Sequence, residues 1–77
     1  MPVVTIDLTR EGSTPGSDTV TAQEKAELIR GVSELLRDVL GKPLDATFVV
    51  INEVPLENWG WGGLPVEQFR EQRRLAG

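Results

Sequence analysis

The feature that most constrains the fold is one amphipathic helix with recognisable ends, set between two β-like segments. Thr21 and Glu24 match a capping box, in which the hydroxyl and the carboxylate each bond a free backbone amide. Gly41 suits the left-handed position after a helix, and Pro43 prevents its continuation. The pattern predicts a helix over about residues 22–40. Its apolar positions recur at helical spacing: Leu28, Ile29, Val32, Leu35, Leu36, Val39 and Leu40.

The segments on either side of this helix are predicted to be strands. Residues 3–8 are rich in β-branched side chains, with apolar residues alternating along one face. Residues 46–54, ATFVVINEV, form a nearly continuous apolar run, as expected for a strand covered on both faces. A strand, a helix and a strand of these lengths form a βαβ unit, so the two strands are predicted to be parallel.

The other segments are shorter. Residues 9–20, TREGSTPGSDTV, form a loop that is long for so small a domain. After the second strand, PLENWGWGG predicts tight turns or a small hairpin, and a short helix is expected to begin near Pro65. The predicted fold class is α/β (α+β): one domain over residues 1–77, a single βαβ unit with a C-terminal hairpin and short helix.

The composition removes several kinds of chemistry and favours assembly. The 77 residues include no cysteine and no histidine. No disulfide or thiolate is therefore available, and the commonest general base and metal ligand is missing, so we predict no metal site. A two-stranded sheet under one helix leaves an edge and a face open. We therefore expect copies of the chain to assemble through shared β-sheets.

The charge and hydropathy patterns argue against two classes of partner. The net charge of −4 makes nucleic acid an unsuitable partner, because phosphate neutralisation needs a basic surface. No apolar run approaches the roughly 18 residues of a membrane helix. A basic segment followed by an apolar one, as in a signal peptide, is also lacking. The expected location is the cytoplasm.

Pro2, directly behind the initiator methionine, has two interpretations. Proline is tolerated at the first position of a strand, so its role is either purely structural or chemical. If Met1 is removed, as a small second residue normally permits, the nitrogen of Pro2 becomes a free secondary amine. A terminal amine has a pKa of about 7.7–8.0, and burial or nearby cations lower that value. Such an amine can serve as a general base at neutral pH.

Three features together resemble the short-subunit 4-oxalocrotonate tautomerase family of the tautomerase superfamily. They are Pro2 at the head of a strand, the helix TAQEKAELIRGVSELL, and the stretch VVINEVPLENWGWGG, in the family's order over residues 2–63. The resemblance implies the tautomerase/MIF-like β-α-β fold. It also implies assembly of dimers into a homohexamer, a trimer of dimers. Proton transfer by the N-terminal proline would then proceed without a metal or organic cofactor.

The resemblance also implies substrate-binding positions, with one departure. Arg10 lies close to the sequence position at which the family has an arginine that binds a substrate carboxylate. The alternative is that Arg10 is an ordinary loop arginine. Phe48 stands where a second family arginine is expected, so it either lines the pocket or serves the core or an interface. Trp59 corresponds to the aromatic residue beside the proline, and packing alone is its alternative. Because Phe48 cannot bind a carboxylate by charge, a dicarboxylate substrate is disfavoured.

Other polar residues have less specific interpretations. Arg70, Arg73 and Arg74 either supply charge to another subunit's site or form a solvated tail. Glu53, near the end of the second strand, is interpreted as a solvated carboxylate.

The resulting hypothesis is an isomerase in which Pro2, as general base and then general acid, catalyses keto–enol isomerisation. The substrate would be a small unsaturated carbonyl acid, and a more apolar or monocarboxylate one fits better. Hydration or dehalogenation of unsaturated acids on the same scaffold is an alternative. A second alternative is a non-catalytic assembly subunit that forms a hetero-oligomer with a paralogue carrying the missing arginine.

Overall fold

The computed structural model describes residues 1–11 and 19–77, and it contains the predicted βαβ unit, hairpin and C-terminal helix. The predicted loop over residues 9–20 therefore falls largely outside the described residues, and its first residue, Thr9, belongs to a strand. The elements in chain order are β1 (Val3–Thr9), α1 (Ala22–Leu40), β2 (Phe48–Val54), β3 (Gly60–Trp61), β4 (Leu64–Pro65) and α2 (Val66–Ala76). Short 3-10 turns at Leu44–Ala46 and Leu56–Asn58 precede β2 and β3.

The predicted limits and caps of α1 are confirmed. The Thr21 hydroxyl accepts a hydrogen bond from the Glu24 amide at 3.1 Å, and the Glu24 carboxylate accepts one from the Thr21 amide at 2.9 Å. At the other end, Gly41 has a φ of 70°, and its amide donates to the Arg37 carbonyl at 2.9 Å. Glycine adopts this conformation without the steric penalty that a Cβ would introduce.

Strands β1 and β2 are parallel, as predicted, and pair from Val3 with Phe48 to Thr9 with Val54. One face of this pair is half-buried beneath α1; the alternating residues on the other face are exposed. The expectation that β2 is covered on both faces is therefore wrong within a single chain. On the open face, Val3 is 65% exposed and Phe48 is 49% exposed.

The C-terminal part forms a small unit of its own. The turn between β3 and β4 contains Gly62 and Gly63, both with positive φ. The Val66 amide donates to the Trp59 carbonyl at 2.8 Å, and Val66 is only 2% exposed. The Trp61 ring lies 4.4 Å from the Phe69 ring, measured between centroids. Backbone pairing and aromatic contact thus dock α2 on the hairpin.

The single chain buries little of its apolar surface. Val66 is the only buried apolar residue among the described ones, while Leu35, Val39 and Leu40 of α1 are all more than half exposed. The radius of gyration is 16.1 Å, against about 11 Å for a compact chain of this length. The open sheet face and the end of α1 therefore need partner chains to be covered. Neither helix in the described part of the chain is long and apolar enough to cross a bilayer.

Candidate active site

Pro2 and Phe48 lie together at the start of the parallel sheet. The Phe48 amide donates to the Pro2 carbonyl at 3.0 Å, which ties the residue before β1 to the first residue of β2. Pro2 is half-buried, whereas Met1 in front of it is 87% exposed. The Phe48 side chain lies on the open face of the sheet. One end of the sheet therefore carries a proline and a phenylalanine joined through their backbones, and β2 supplies no cation at this position.

Arg10 and Trp59 lie at the opposite end of the same sheet. Arg10 follows the last residue of β1, and it lines a cavity of about 300 Å³ together with Glu11, Pro55 and Leu56. The Trp59 amide donates to the Leu56 carbonyl at 3.1 Å, so the Trp59 backbone lies one short turn from a residue of that cavity. Seven-residue strands span about 20 Å. The structure thus separates the four predicted site residues into two pairs within one chain.

This separation has a consequence for any pocket that uses all four residues. No side chain reaches across about 20 Å of sheet, so Arg10 and Trp59 can approach Pro2 only from another copy of the chain. The exposed face and edge of the sheet offer the surface on which such copies can meet. A site built from all four residues would therefore need more than one copy of the chain.

The electrostatics around Arg10 are set by an ion pair that the sequence analysis missed. The two terminal nitrogens of Arg70, on α2, donate to the two carboxylate oxygens of Glu11 at 2.8 and 3.0 Å. The Thr9 hydroxyl donates to the same carboxylate at 2.9 Å. These bonds, that from Arg70 above all, lower the pKa of Glu11 to about 2 and raise the pKa of Arg70. The partners are 59 positions apart, so no local spacing could have revealed them.

The three C-terminal arginines are exposed, as in a solvated tail, but each has a partner within its own chain. Arg70 binds Glu11; the Arg74 Nε donates to Glu71 at 3.1 Å, lowering the pKa of that carboxyl. The Arg73 guanidinium lies 5.2 Å from the Trp61 ring centroid in a cation–π arrangement. A role of these arginines in another subunit's site stays a prediction.

Glu53 also differs from its prediction. It lies on the helix-facing side of β2 and forms an ion pair with Lys25 of α1. Both side chains are about 30% exposed. Glu53 thus links α1 to β2 through this ion pair and is not a freely solvated carboxylate. Within residues 1–11 and 19–77, no cluster of three or more acidic side chains has the arrangement of a metal site.

Comparison with known proteins identifies the class to which this fold and site belong. The sequence matches the family model described as "Tautomerase enzyme" over residues 2–68. The chain belongs to the tautomerase family. It is accordingly an isomerase, and the predicted resemblance and fold are confirmed.

Individual relatives agree with this assignment. The chain is 46% identical over 72 residues to the probable tautomerase K2 of Dickeya dadantii (strain 3937), covering 94% of this chain and 97% of the relative. It is similar to the crystal structure of DmpI from Helicobacter pylori, with a TM-score of 0.74, 37% identity, and coverage of 91% and 97% of the two chains. It is also similar to a heterohexamer 4-oxalocrotonate tautomerase from Chloroflexus aurantiacus J-10-fl. That match has a TM-score of 0.71, 28% identity, and coverage of 91% and 100%.

Proposed function

We propose that the mature chain begins at Pro2 and uses the amine of that residue to isomerise a small enol or unsaturated carbonyl acid. The neutral nitrogen takes a proton from one substrate atom and returns it to another, so a double bond shifts and no atom is gained or lost. The observation that carries the proposal is the half-buried position of Pro2 at the head of β1, in a chain of the tautomerase family.

The surroundings of Pro2 support a base that is neutral near pH 7. The apolar Val3 follows Pro2, and Phe48 lies opposite Val3 on the neighbouring strand. On assembly, coverage of this open face would exclude water from the amine. The Arg10 of another copy of the chain would add positive charge beside it. Both changes disfavour the protonated amine and lower its pKa below the ordinary value for a terminal amine.

The residues available for binding favour a substrate with one carboxylate and one apolar end. Arg10 offers paired donors that suit a carboxylate. Phe48 offers a ring face at the end of the sheet that carries Pro2, where a charged group would find no counter-ion from β2. Trp59 would then form the remaining wall of the pocket, contributed with Arg10 by another copy. We therefore propose the enol of an aryl-substituted 2-oxo acid as the class of substrate.

The role of Pro2 is tested by substituting it and measuring conversion of such an enol to its ketone. Intact mass first establishes that Met1 is removed, and ¹⁵N NMR titrates the Pro2 nitrogen. Pro2→Ala should lower kcat/KM by about 10²-fold or more, since general base catalysis contributes on that scale. Pro43→Ala, a matched loss of proline outside the site, should leave the rate unchanged. Equal rates for wild type and Pro2→Ala would refute the proposed mechanism.

The proposed substrate class is tested at Phe48. Wild type should prefer the aryl monocarboxylate enol over a dienol dicarboxylate. Phe48→Arg should shift that preference toward the dicarboxylate by about tenfold or more, because it introduces a bidentate carboxylate donor. Phe48→Leu serves as the apolar control and should not improve dicarboxylate turnover. A wild type that prefers the dicarboxylate would contradict the proposed substrate class.

The assembly is proposed to be a homohexamer of three dimers, with a hetero-oligomer as the second candidate. The exposed sheet face and α1 surface support assembly in either form. The hetero-oligomer is favoured specifically by Phe48 in place of an arginine and by the similarity to a heterohexamer. Sedimentation of the purified chain alone decides between them. An active hexamer of this chain would exclude the second candidate; activity that appears only after mixing with a paralogous subunit would exclude the first.

A further inference from the structure

The cavity that Arg10 lines contains a second charge of opposite sign. Glu11, the next residue, lines the same cavity, and the other described residues that line it are the apolar Pro55 and Leu56. Within the described residues, Arg10 has no carboxylate partner closer than 4.0 Å. Two adjacent residues of opposite charge therefore share one small space without forming an ion pair with each other.

The reason is that the Glu11 carboxylate is already bonded to two other side chains. Arg70 occupies both of its oxygens, and the Thr9 hydroxyl adds a third bond to one of them. Arg70 itself is not among the residues that line the cavity. Counting formal charges, Arg10, Glu11 and Arg70 leave one net positive charge at this end of the sheet. Without Arg70 the net charge there would be zero.

An unpaired Glu11 would oppose carboxylate binding in either of two ways. Its carboxylate could pair with the Arg10 guanidinium and occupy the donors that a substrate needs. Alternatively it could remain apart and repel a substrate carboxylate across the same cavity. Both effects weaken binding of an anion at Arg10, and both vanish when Glu11 is neutralised.

We propose that Arg70 is a positioning residue that holds Glu11 away from Arg10, and so keeps Arg10 free to bind the carboxylate of the substrate. The proposal rests on the proposed role of Arg10 in substrate binding. Helix α2 then has a role beyond packing, because its Arg70 guanidinium sets the net charge at the cavity. An arginine is required because its planar fork occupies both carboxylate oxygens at once, which an ammonium group does not do.

The placement of α2 allows this interaction to be held in one geometry. Val66, at the start of the helix, is buried and bonded to Trp59 through its backbone. One turn later Phe69 packs on Trp61, and Arg70 is its neighbour in the chain. The helix is therefore anchored over the turn that directly precedes Arg70, whose guanidinium bonds Glu11.

Steady-state kinetics on charge variants tests the proposal, with the aryl monocarboxylate enol as substrate. Arg70→Gln should raise KM about fivefold at low salt while kcat stays within about twofold, because an uncompensated unit charge faces the bound carboxylate. Glu11→Gln alone should leave KM unchanged or lower it. The double variant Glu11→Gln/Arg70→Gln should restore the wild-type KM. Arg74→Gln, which breaks an ion pair on the same helix outside the cavity, is the matched control and should have no effect.

The sign of the Glu11→Gln effect separates this role from a merely structural one. If the ion pair only docks α2, Glu11→Gln and Arg70→Gln should raise KM alike, and the double variant should not recover; that result would overturn the proposal. If Arg70→Gln does not fold, the same comparison is made with Glu11→Gln alone, since a raised KM there already contradicts the proposal. The increase for Arg70→Gln should also shrink at 0.5 M salt.

Arg10→Ala distinguishes failure of this inference from failure of the proposed function. A raised KM for Arg10→Ala with an unchanged KM for Arg70→Gln would overturn the positioning role alone. An unchanged KM for Arg10→Ala would overturn the binding role of Arg10, and with it the reason for keeping that residue free. A raised KM for both single variants, with recovery in the double variant, is the expected result.

Discussion

Gly62 should be the least replaceable residue of the hairpin that follows the candidate pocket residue Trp59. Its φ is +64°, and a Cβ built on it would lie 2.3 Å from Cε2 and 2.6 Å from Cδ2 of Phe69. That ring is packed against Trp61, so it cannot move away without losing contact. Gly63 also has a positive φ, +83°, but a Cβ there would meet nothing within 4 Å. The two adjacent glycines thus form a matched pair.

The expected magnitudes follow from these distances. A Cβ in the left-handed region raises the free energy by about 1–2 kcal/mol at either glycine. Displacing a packed ring adds about 1–3 kcal/mol, and only at Gly62. We therefore expect Gly62→Ala to lower the free energy of unfolding by about 2–5 kcal/mol, and Gly63→Ala by about 1–2 kcal/mol. The difference between the two variants measures the collision with Phe69.

Urea unfolding followed by tryptophan fluorescence is a suitable assay, because Trp61 lies next to the affected ring. All variants must be compared at one protomer concentration, since the stability of an oligomer depends on it. In a Phe69→Ala background, Gly62→Ala should become no more destabilising than Gly63→Ala. Equal losses for the two alanine variants in the wild-type background, or a Gly62→Ala penalty that persists without the ring, would refute the reasoning.

Three further predictions concern the Glu11 carboxylate, the two glycines of α1 and its C-cap, and the N-cap of α1. The pKa of Glu11 falls from 4.5 to about 2 in the folded chain, so its contribution to stability is present above about pH 4.5 and lost as the pH falls toward 2. The difference between the pH-stability curves of wild type and Glu11→Gln should show this loss. Parallel curves would contradict it. Gly31→Ala should stabilise α1 by up to about 1 kcal/mol in thermal unfolding, since this glycine lies inside the helix with open space around it. Gly41→Ala should destabilise α1, because the φ of Gly41 is +70°. Thr21→Ala should lower the free energy of unfolding by about 1 kcal/mol through loss of the capping bond to Glu24, and an unchanged urea midpoint would argue against that bond.

Much of the fold could be predicted because its signals act between near neighbours in the chain. The capping box of Thr21 and Glu24, the left-handed Gly41 and the helical spacing between them all depend on contacts within a few residues. The strand pattern of β1 and the requirement for a crossover then made the parallel pairing predictable. The family resemblance was carried by the same local features, with Pro2 and the NWGWGG stretch at their ends.

The candidate site was predictable residue by residue but not as an arrangement. The motifs singled out Pro2, Arg10, Phe48 and Trp59, yet they gave no distances between them. The parallel register puts Phe48 beside Pro2 and leaves Arg10 and Trp59 about 20 Å away in the same chain. A site that used all four residues would therefore need a second copy of the chain.

The sequence by itself thus determined the elements and the ends of the long helix. Its lack of histidine and cysteine also made Pro2 the candidate for the base that we propose. Only the tertiary structure decided which charges are free. It joins Arg70 to Glu11 across 59 positions, fastens Lys25 to Glu53, and leaves Arg10 unpaired among the described residues. The physical reason is that helix caps and periodicity depend on local backbone geometry, whereas ion pairing depends on where the whole chain path brings distant side chains.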